Sequence, residues 1–299
     1  MSINPAQTVV GLVGTGVMGK SMAGHFIQAG YKVQLYNRTK SKAQELLGQG
    51  AEWQDSPGLL AQQCDVIITM VGFPSDVEEI YLGDNGLLRN AKPGSYIIDM
   101  TTSSPKLAKQ IYEEALSRQL YSLDAPVSGG DVGAKEARLS IMVGGSREAF
   151  DYVLPLFQKI GTNIVYQGEA GAGQHTKMCN QIAIASNMMG VVEALVYAKK
   201  SGLDPSTVLK SIESGAAGSW SLSNLAPRII AGNFAPGFYV KHFIKDMKIA
   251  LQSAEEMNVE LPGLALAKSL YEQLAASGEE DSGTQALYKI INNRAYSHG

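Results

Sequence analysis

Cysteine is almost absent. Cys64 and Cys179 are the only two in 299 residues, too few for a disulfide framework or a structural zinc site. Neither sign of charge dominates: 25 Lys and Arg against 28 Asp and Glu leave a formal net charge of −3. A balance of that kind gives no electrostatic grip on a nucleic-acid backbone. No uncharged apolar run reaches the ~18 residues of a membrane span. The longest, between Lys177 and Glu193, is broken by Asn180, Gln181, Ser186 and Asn187. Met1–Gln7 holds no Lys or Arg and so lacks the basic start of a signal peptide. These absences lead to the expectation of a soluble cytoplasmic protein with no metal, no membrane and no nucleic-acid partner.

What is present is apolar enough to fold. Hydrophobic residues make up 45% and charged ones 18%, the reverse of a disordered composition. The length suits two domains of roughly 150 residues each. The 32 glycines follow no collagen period and point to tight turns. Through residue 168, short β-branched runs (Thr8–Val13, Lys32–Tyr36, Val66–Val71, Tyr96–Met100, Ser122–Asp124, Ser140–Val143 and Asn163–Tyr166) alternate with helical stretches such as Met18–Ala29, Lys40–Gln49 and Ser104–Arg118. That alternation predicts an α/β domain built on a doubly wound, mostly parallel sheet. From residue 169 the texture is helical: one long helix, Gln174–Lys200, then Pro205–Glu213, Leu222–Ala231, Ile244–Glu256, Pro262–Ala276 and Thr284–Arg294. The expected layout is residues 1–168 as a Rossmann domain and 169–299 as an all-α domain, joined by the long helix.

The first apolar run leads into Gly14-Thr15-Gly16-Val17-Met18-Gly19 and then a helix, the dinucleotide fingerprint in its strand–turn–helix setting. The first glycine permits the turn, the second lets the backbone approach a pyrophosphate, and the third packs helix on strand. The same segment also reads as a phosphate loop, with Lys20 and Ser21 in the lysine and magnesium positions and Asp99 as a second metal-binding strand end. Gly16 separates the two, because a triphosphate loop does not require it. After the second run an NAD site calls for an acid to bond the ribose hydroxyls. Here stand Asn37-Arg38-Thr39, with no acid until Glu45. A guanidinium and a hydroxyl suit a 2′-phosphate, so the expected cofactor is NADP(H) in preference to NAD(H).

Two further segments carry polar groups. Ser128-Gly129-Gly130, after a run ending at Asp124, offers a hydroxyl and bare amides to a carboxylate, or is an ordinary turn. Lys177 lies near the amino end of the long helix, where the dipole disfavours an ammonium. This breaks a local rule and so suggests function, although a surface lysine would also fit. Asn180 and Gln181 follow on the same face.

Taken together, Gly14–Gly19, Asn37–Thr39, Asp124–Gly130, Gly171–Gln181 and Phe243-Ile244-Lys245-Asp246 resemble, in order and over about residues 8–290, the β-hydroxyacid dehydrogenases, which include 3-hydroxyisobutyrate dehydrogenase and tartronate semialdehyde reductase. The resemblance implies a Rossmann domain, a helical domain and a cleft between them. It implies Lys177 as the catalytic lysine and Ser128, Gly129 and Gly130 as substrate-binding residues. Lys245 and Asp246 would lie near the nicotinamide, and Val71, Gly72 and Thr102 would contact cofactor. The family usually carries Asn four residues after the lysine, where this chain has Gln181, with Asn180 one earlier.

The expected activity is therefore the NAD(P)-dependent interconversion of a short β-hydroxyacid and its semialdehyde. Lys177 would move the proton, and Asn180 and Gln181 would steady the substrate. His175, turned about 200° from Lys177, is the alternative proton carrier. His25, His242 and His298 read as structural or exposed. A catalytically silent nucleotide-binding module and a phosphate-loop nucleotidase are the competing readings. The long helix is apolar around most of its circumference, which with the resemblance implies a homodimer or homotetramer.

Overall fold

The strands alternate between two cores. In β1 (Val9–Val13), Val10 and Leu12 enter one buried cluster and Val13 another. The same alternation places Val66 and Ile68 of β4 (Val66–Thr69) against Ile67, and Ile98 of β5 (Tyr96–Asp99) against Ile97. A strand that is apolar on both faces belongs in a parallel sheet covered on both sides. The computed structural model, which describes residues 3–296, has that arrangement in its first unit; His298 lies outside the described residues.

With β2 (Lys32–Tyr36), β3 (Glu52–Trp53) and β6 (Tyr121–Asp124), the strands run in the order β3-β2-β1-β4-β5-β6, all parallel. This is the doubly wound order whose reversal, between β1 and β4, opens a ligand crevice at the carboxyl ends of the strands. Beyond β6 the pattern changes. Strand β8 (Leu139–Gly145) runs antiparallel to both β6 and the two-residue β7 (Val127–Ser128), and β9 (Gly161–Gly168) pairs parallel to β8 on its far side. Pro126, which lacks an N–H, separates β6 from β7, while its carbonyl still accepts from Met142 N–H at 3.0 Å.

The contacts divide the chain after Lys177, into a unit ending there and one starting at Met178, so the helix Ala172–Lys200 contributes to both. Within the second unit its Met178, Ala185, Met188, Val192 and Leu195 join a core with Phe243, Met247, Leu270, Tyr271 and Leu287. Length and composition alone would let this helix cross a membrane, a test that core helices of folded domains also pass.

Several sequence expectations are corrected. Strands β3 and β7 were not expected; two-residue strands exist only through their pairing. The helices Pro57–Gln63, Pro74–Leu82 and Arg147–Phe157 fall between strands as the alternation requires, with Ser56 and Ser146 capping the first and last through their hydroxyls. The stretch 222–231 is two helices, Trp220–Asn224 and Ala226–Ile230, with Pro227 opening the second. The long helix starts at Ala172, so Lys177 is its sixth residue and sits in the second turn. The helix-end field invoked for it from sequence has fallen off there.

Candidate functional site

The glycine turn is built from the strand ends around it. Gly14 has φ +99°, and a Cβ there would overlap the Met70 carbonyl at the end of β4. A Cβ at Gly19 would overlap the Gly14 carbonyl, so the helix Val17–Gln28 could not lie where it does. Both glycines are therefore required by the fold. Gly16 is not: its backbone is extended (φ −69°, ψ −170°) and a Cβ would meet nothing within 4 Å. Gly16 and Val17 are exposed, while the neighbouring Thr15 is buried and its hydroxyl has no hydrogen-bond partner among the described residues. Open space over the second glycine, ahead of a helix start, fits a pyrophosphate.

The phosphate-loop reading finds no such support. Lys20 is ion-paired to Glu45, Ser21 donates to the Val17 carbonyl, and Asp99 accepts the Thr101 N–H at 3.0 Å. Among the described residues no group of three or more His, Cys, Asp or Glu could hold a metal ion.

Beside the turn, Asn37 is occupied by the protein itself. Its Oδ1 accepts the Thr15 N–H at 3.1 Å and its Nδ2 donates to the Thr39 carbonyl at 2.9 Å. Asn37 thus braces the turn. Arg38 is three-quarters exposed and reaches Asp76 Oδ1 at 3.0 Å; Thr39 is exposed as well. On the other side of β1, Val71 N–H donates to Thr101 Oγ1 at 3.1 Å, and Val71, Gly72 and Thr102 are half-buried in the loops after β4 and β5. The expected cofactor positions of the first unit thus gather at the carboxyl edge of the sheet, while Lys245 and Asp246 lie on a helix of the second unit.

A second group forms around the start of the long helix. Asp124, at the end of β6, accepts N–H groups from Gly171 at 2.7 Å and Gln174 at 2.8 Å. Its burial pushes the carboxyl up to about 6 against the opposing pull of those backbone bonds. Gln174, fully buried, accepts from Ser103 N–H and donates to the Thr101 carbonyl, tying the β5 loop to the helix. These bonds fix Lys177, which is 7% exposed and donates from Nζ to the Val127 carbonyl at 2.8 Å. Val127 directly precedes Ser128, Gly129 and Gly130, whose two glycines have φ +132° and +64°. Sequence reasoning did not find Asp76 and Gln174. Asp76 left one signal, an acid two residues after the helix-opening Pro74; Gln174 left none beyond its place in the Gly171–Gln181 motif.

In the second unit four of the expected residues meet. Asn180 donates to Gln181 Oε1 at 2.7 Å, Gln181 donates to Asp246 Oδ2 at 2.6 Å, and Lys245 lies 2.9 Å from Asp246 Oδ1. Gln181 and Asp246 are buried, so both ends of the Gln181 amide are committed, and Asn180 is the more open of the two amides. His242, on the helix Val240–Glu256, is half-buried. Burial, and then Lys245, hold its imidazole below the usual range.

Residues 9–168 match the NAD binding domain of 6-phosphogluconate dehydrogenase, and residues 171–291 match the NAD-binding domain of NADP-dependent 3-hydroxyisobutyrate dehydrogenase. The chain is 64% identical to the uncharacterized oxidoreductase YkwC of Bacillus subtilis, over 95% of this chain and 99% of that one. It is 37% identical to 2-hydroxy-3-oxopropionate reductase of Escherichia coli, over 94% and 96%. Among solved structures, 3-hydroxyisobutyrate dehydrogenase of Mycobacterium tuberculosis with L-serine superposes with a TM-score of 0.88 at 28% identity, covering 95% of this chain and 99% of that one.

Proposed function

Because the chain belongs to the β-hydroxyacid dehydrogenase family and is an NAD(P)-dependent oxidoreductase acting on CH–OH groups, we propose that it interconverts a short β-hydroxyacid and its semialdehyde with Lys177 as the general acid and base. The observation that carries this reading is the setting of Lys177: a buried ammonium, held by the carbonyl that directly precedes Ser128-Gly129-Gly130. A cation buried to this degree is rare without a purpose, and here it lies next to a hydroxyl and a pair of glycine amides suited to a carboxylate.

A bound nicotinamide cofactor would supply the hydride in reduction and accept it in oxidation. Gly14–Gly19 would receive its pyrophosphate, Val71, Gly72 and Thr102 would flank it, and Lys245 with Asp246 would attend the nicotinamide end. Arg38 and Thr39 favour NADP(H) over NAD(H), with Asn37 holding the turn beneath them. In reduction, Ser128, Gly129 and Gly130 hold the substrate carboxylate, and Lys177 delivers a proton to the carbonyl oxygen. In oxidation it takes that proton from the hydroxyl. Asn180 presents its amide to the substrate, and Gln181 keeps Asp246 in register. L-serine, solved with the Mycobacterium tuberculosis enzyme, is itself a short β-hydroxyacid and supports this substrate class. The apolar circumference of the long helix, of whose most apolar stretch 44% is buried within this chain, supports a homodimer or homotetramer.

The test is a panel of 3-hydroxyisobutyrate, glycerate, 4-hydroxybutyrate and their semialdehydes, each assayed with NADP(H) and NAD(H). Turnover of at least one pair with a preference for NADP(H) is expected. Nucleotide binding without turnover of any of them refutes the catalytic reading.

A further inference from the structure

The sheet order places β2 and β4 on opposite sides of β1, about 10 Å apart at two strand spacings. Arg38 follows β2 and Asp76 follows β4, yet Arg38 Nη1 and Asp76 Oδ1 are 3.0 Å apart. The pair therefore spans the mouth of β1, across the glycine turn. Its two halves differ in exposure. Arg38 is three-quarters exposed, whereas the Asp76 side chain is only 13% exposed, and its Oδ2 accepts the Phe73 N–H at 3.1 Å. The carboxylate is fixed and the guanidinium is the part that can leave.

Asn37, the residue at the tip of β2 where an NAD site would place an acid, spends its side chain on Thr15 and Thr39. Arg38 is thus the charged group left, beside the Thr39 hydroxyl, to distinguish a 2′-phosphate from a 2′-hydroxyl, and Asp76 already holds it. We propose that Asp76 is a specificity-determining residue: it competes with the cofactor's 2′-phosphate for Arg38 and so blunts the preference for NADP over NAD. This rests on the reading of Arg38 as the group facing the adenosine ribose. A 2′-phosphate must draw the guanidinium off the carboxylate and remain near that negative charge. A 2′-hydroxyl does neither, so the cost falls on NADP alone.

Asp76→Asn removes the charge and keeps an acceptor for the Phe73 N–H; Asp76→Ser is a second uncharged acceptor should the first fold poorly. The probes are adenosine 2′,5′-bisphosphate and adenosine 5′-monophosphate, which differ by the 2′-phosphate, titrated calorimetrically into the full chain. Loss of this half-exposed ion pair, worth up to about 1 kcal/mol, should tighten the bisphosphate by up to about fivefold and raise its affinity relative to the monophosphate. Asp76→Glu, which retains the charge, should return the ratio toward wild type, and Arg38→Ala should bring it close to one. An unchanged or smaller ratio in Asp76→Asn and Asp76→Ser overturns the proposal, as does equal tightening of both probes, which is what a purely structural role would produce. Should the wild-type chain take up neither NADP nor NAD, the dinucleotide reading falls first and Asp76's role with it.

Discussion

Alanine at Gly16 and alanine at Gly19 each add one methyl group and should have different consequences. At Gly16 the backbone is extended and the new Cβ meets nothing within 4 Å. The unfolded chain is then less free, worth about 0.4–1 kcal/mol, but Gly16 is the N-cap of the helix, where alanine costs a similar amount relative to glycine. The unliganded protein should therefore stay within about 0.5 kcal/mol of wild type, or roughly 2 °C in Tm for a unit of this size. At Gly19 the methyl overlaps the Gly14 carbonyl, with the carbonyl carbon at 3.1 Å and Leu12 Cδ2 at 3.4 Å. The helix must back away from β1, and overpacking of this kind costs about 1–3 kcal/mol, more than the ~1 kcal/mol that alanine gains over glycine inside a helix. Binding should sort the other way. If the space over Gly16 belongs to a pyrophosphate, its methyl should weaken NADPH by at least about tenfold, ~1.4 kcal/mol, in a protein about as stable as wild type. Scanning calorimetry without ligand and fluorescence titration with NADPH read the two effects separately. Wild-type affinity in Gly16→Ala would refute the assignment of that space, and equal destabilisation by both variants would refute the packing argument.

Two further outcomes follow from the group around the long helix. Lys177→Met should lower kcat by about 10²–10⁴-fold, the usual worth of a positioned proton donor, while leaving the NADPH dissociation constant within about twofold; a kcat within tenfold of wild type removes Lys177 from the chemistry. Asp124 titrates at about 6 in the fold against 3.8 when unperturbed, with desolvation as the main cause. Between those values the native state holds a proton that the unfolded chain has lost, so stability declines as pH rises from about 4 to about 6 and is then level, by roughly 1–3 kcal/mol in all. Asp124→Asn cannot titrate. In urea unfolding the wild type should therefore lose about that much relative to the variant between pH 4 and pH 8, and a constant difference across that range would show that the carboxyl does not titrate as its burial requires.

Much of the first unit was legible because its signals are short-range. Strand alternation needs only a period of two, and the glycine turn needs a strand, three glycines and a helix within about a dozen residues of one another. The long helix declared itself by carrying no Pro, and no Gly but Gly190, from Gln174 to Lys200. Boundaries were less legible: the two residues that place Lys177 in the second helical turn were invisible because Asp124, far away in sequence, sets where the helix begins by accepting from Gly171 and Gln174.

The amino-acid order by itself determined the doubly wound sheet, the helical second half and the glycine turn between the first strand and helix, since each is encoded by neighbours along the chain. The tertiary structure alone decided which of these residues act on one another. Arg38 meets Asp76, Gln174 meets Thr101 and Ser103, and Gln181 meets Asp246. None of these pairs has a sequence period. The first two meet because strand order and register bring separate loops to one edge of the sheet, and the third because helices of the second unit pack around a shared core. Such partners are chosen by packing geometry, on which local sequence has no purchase.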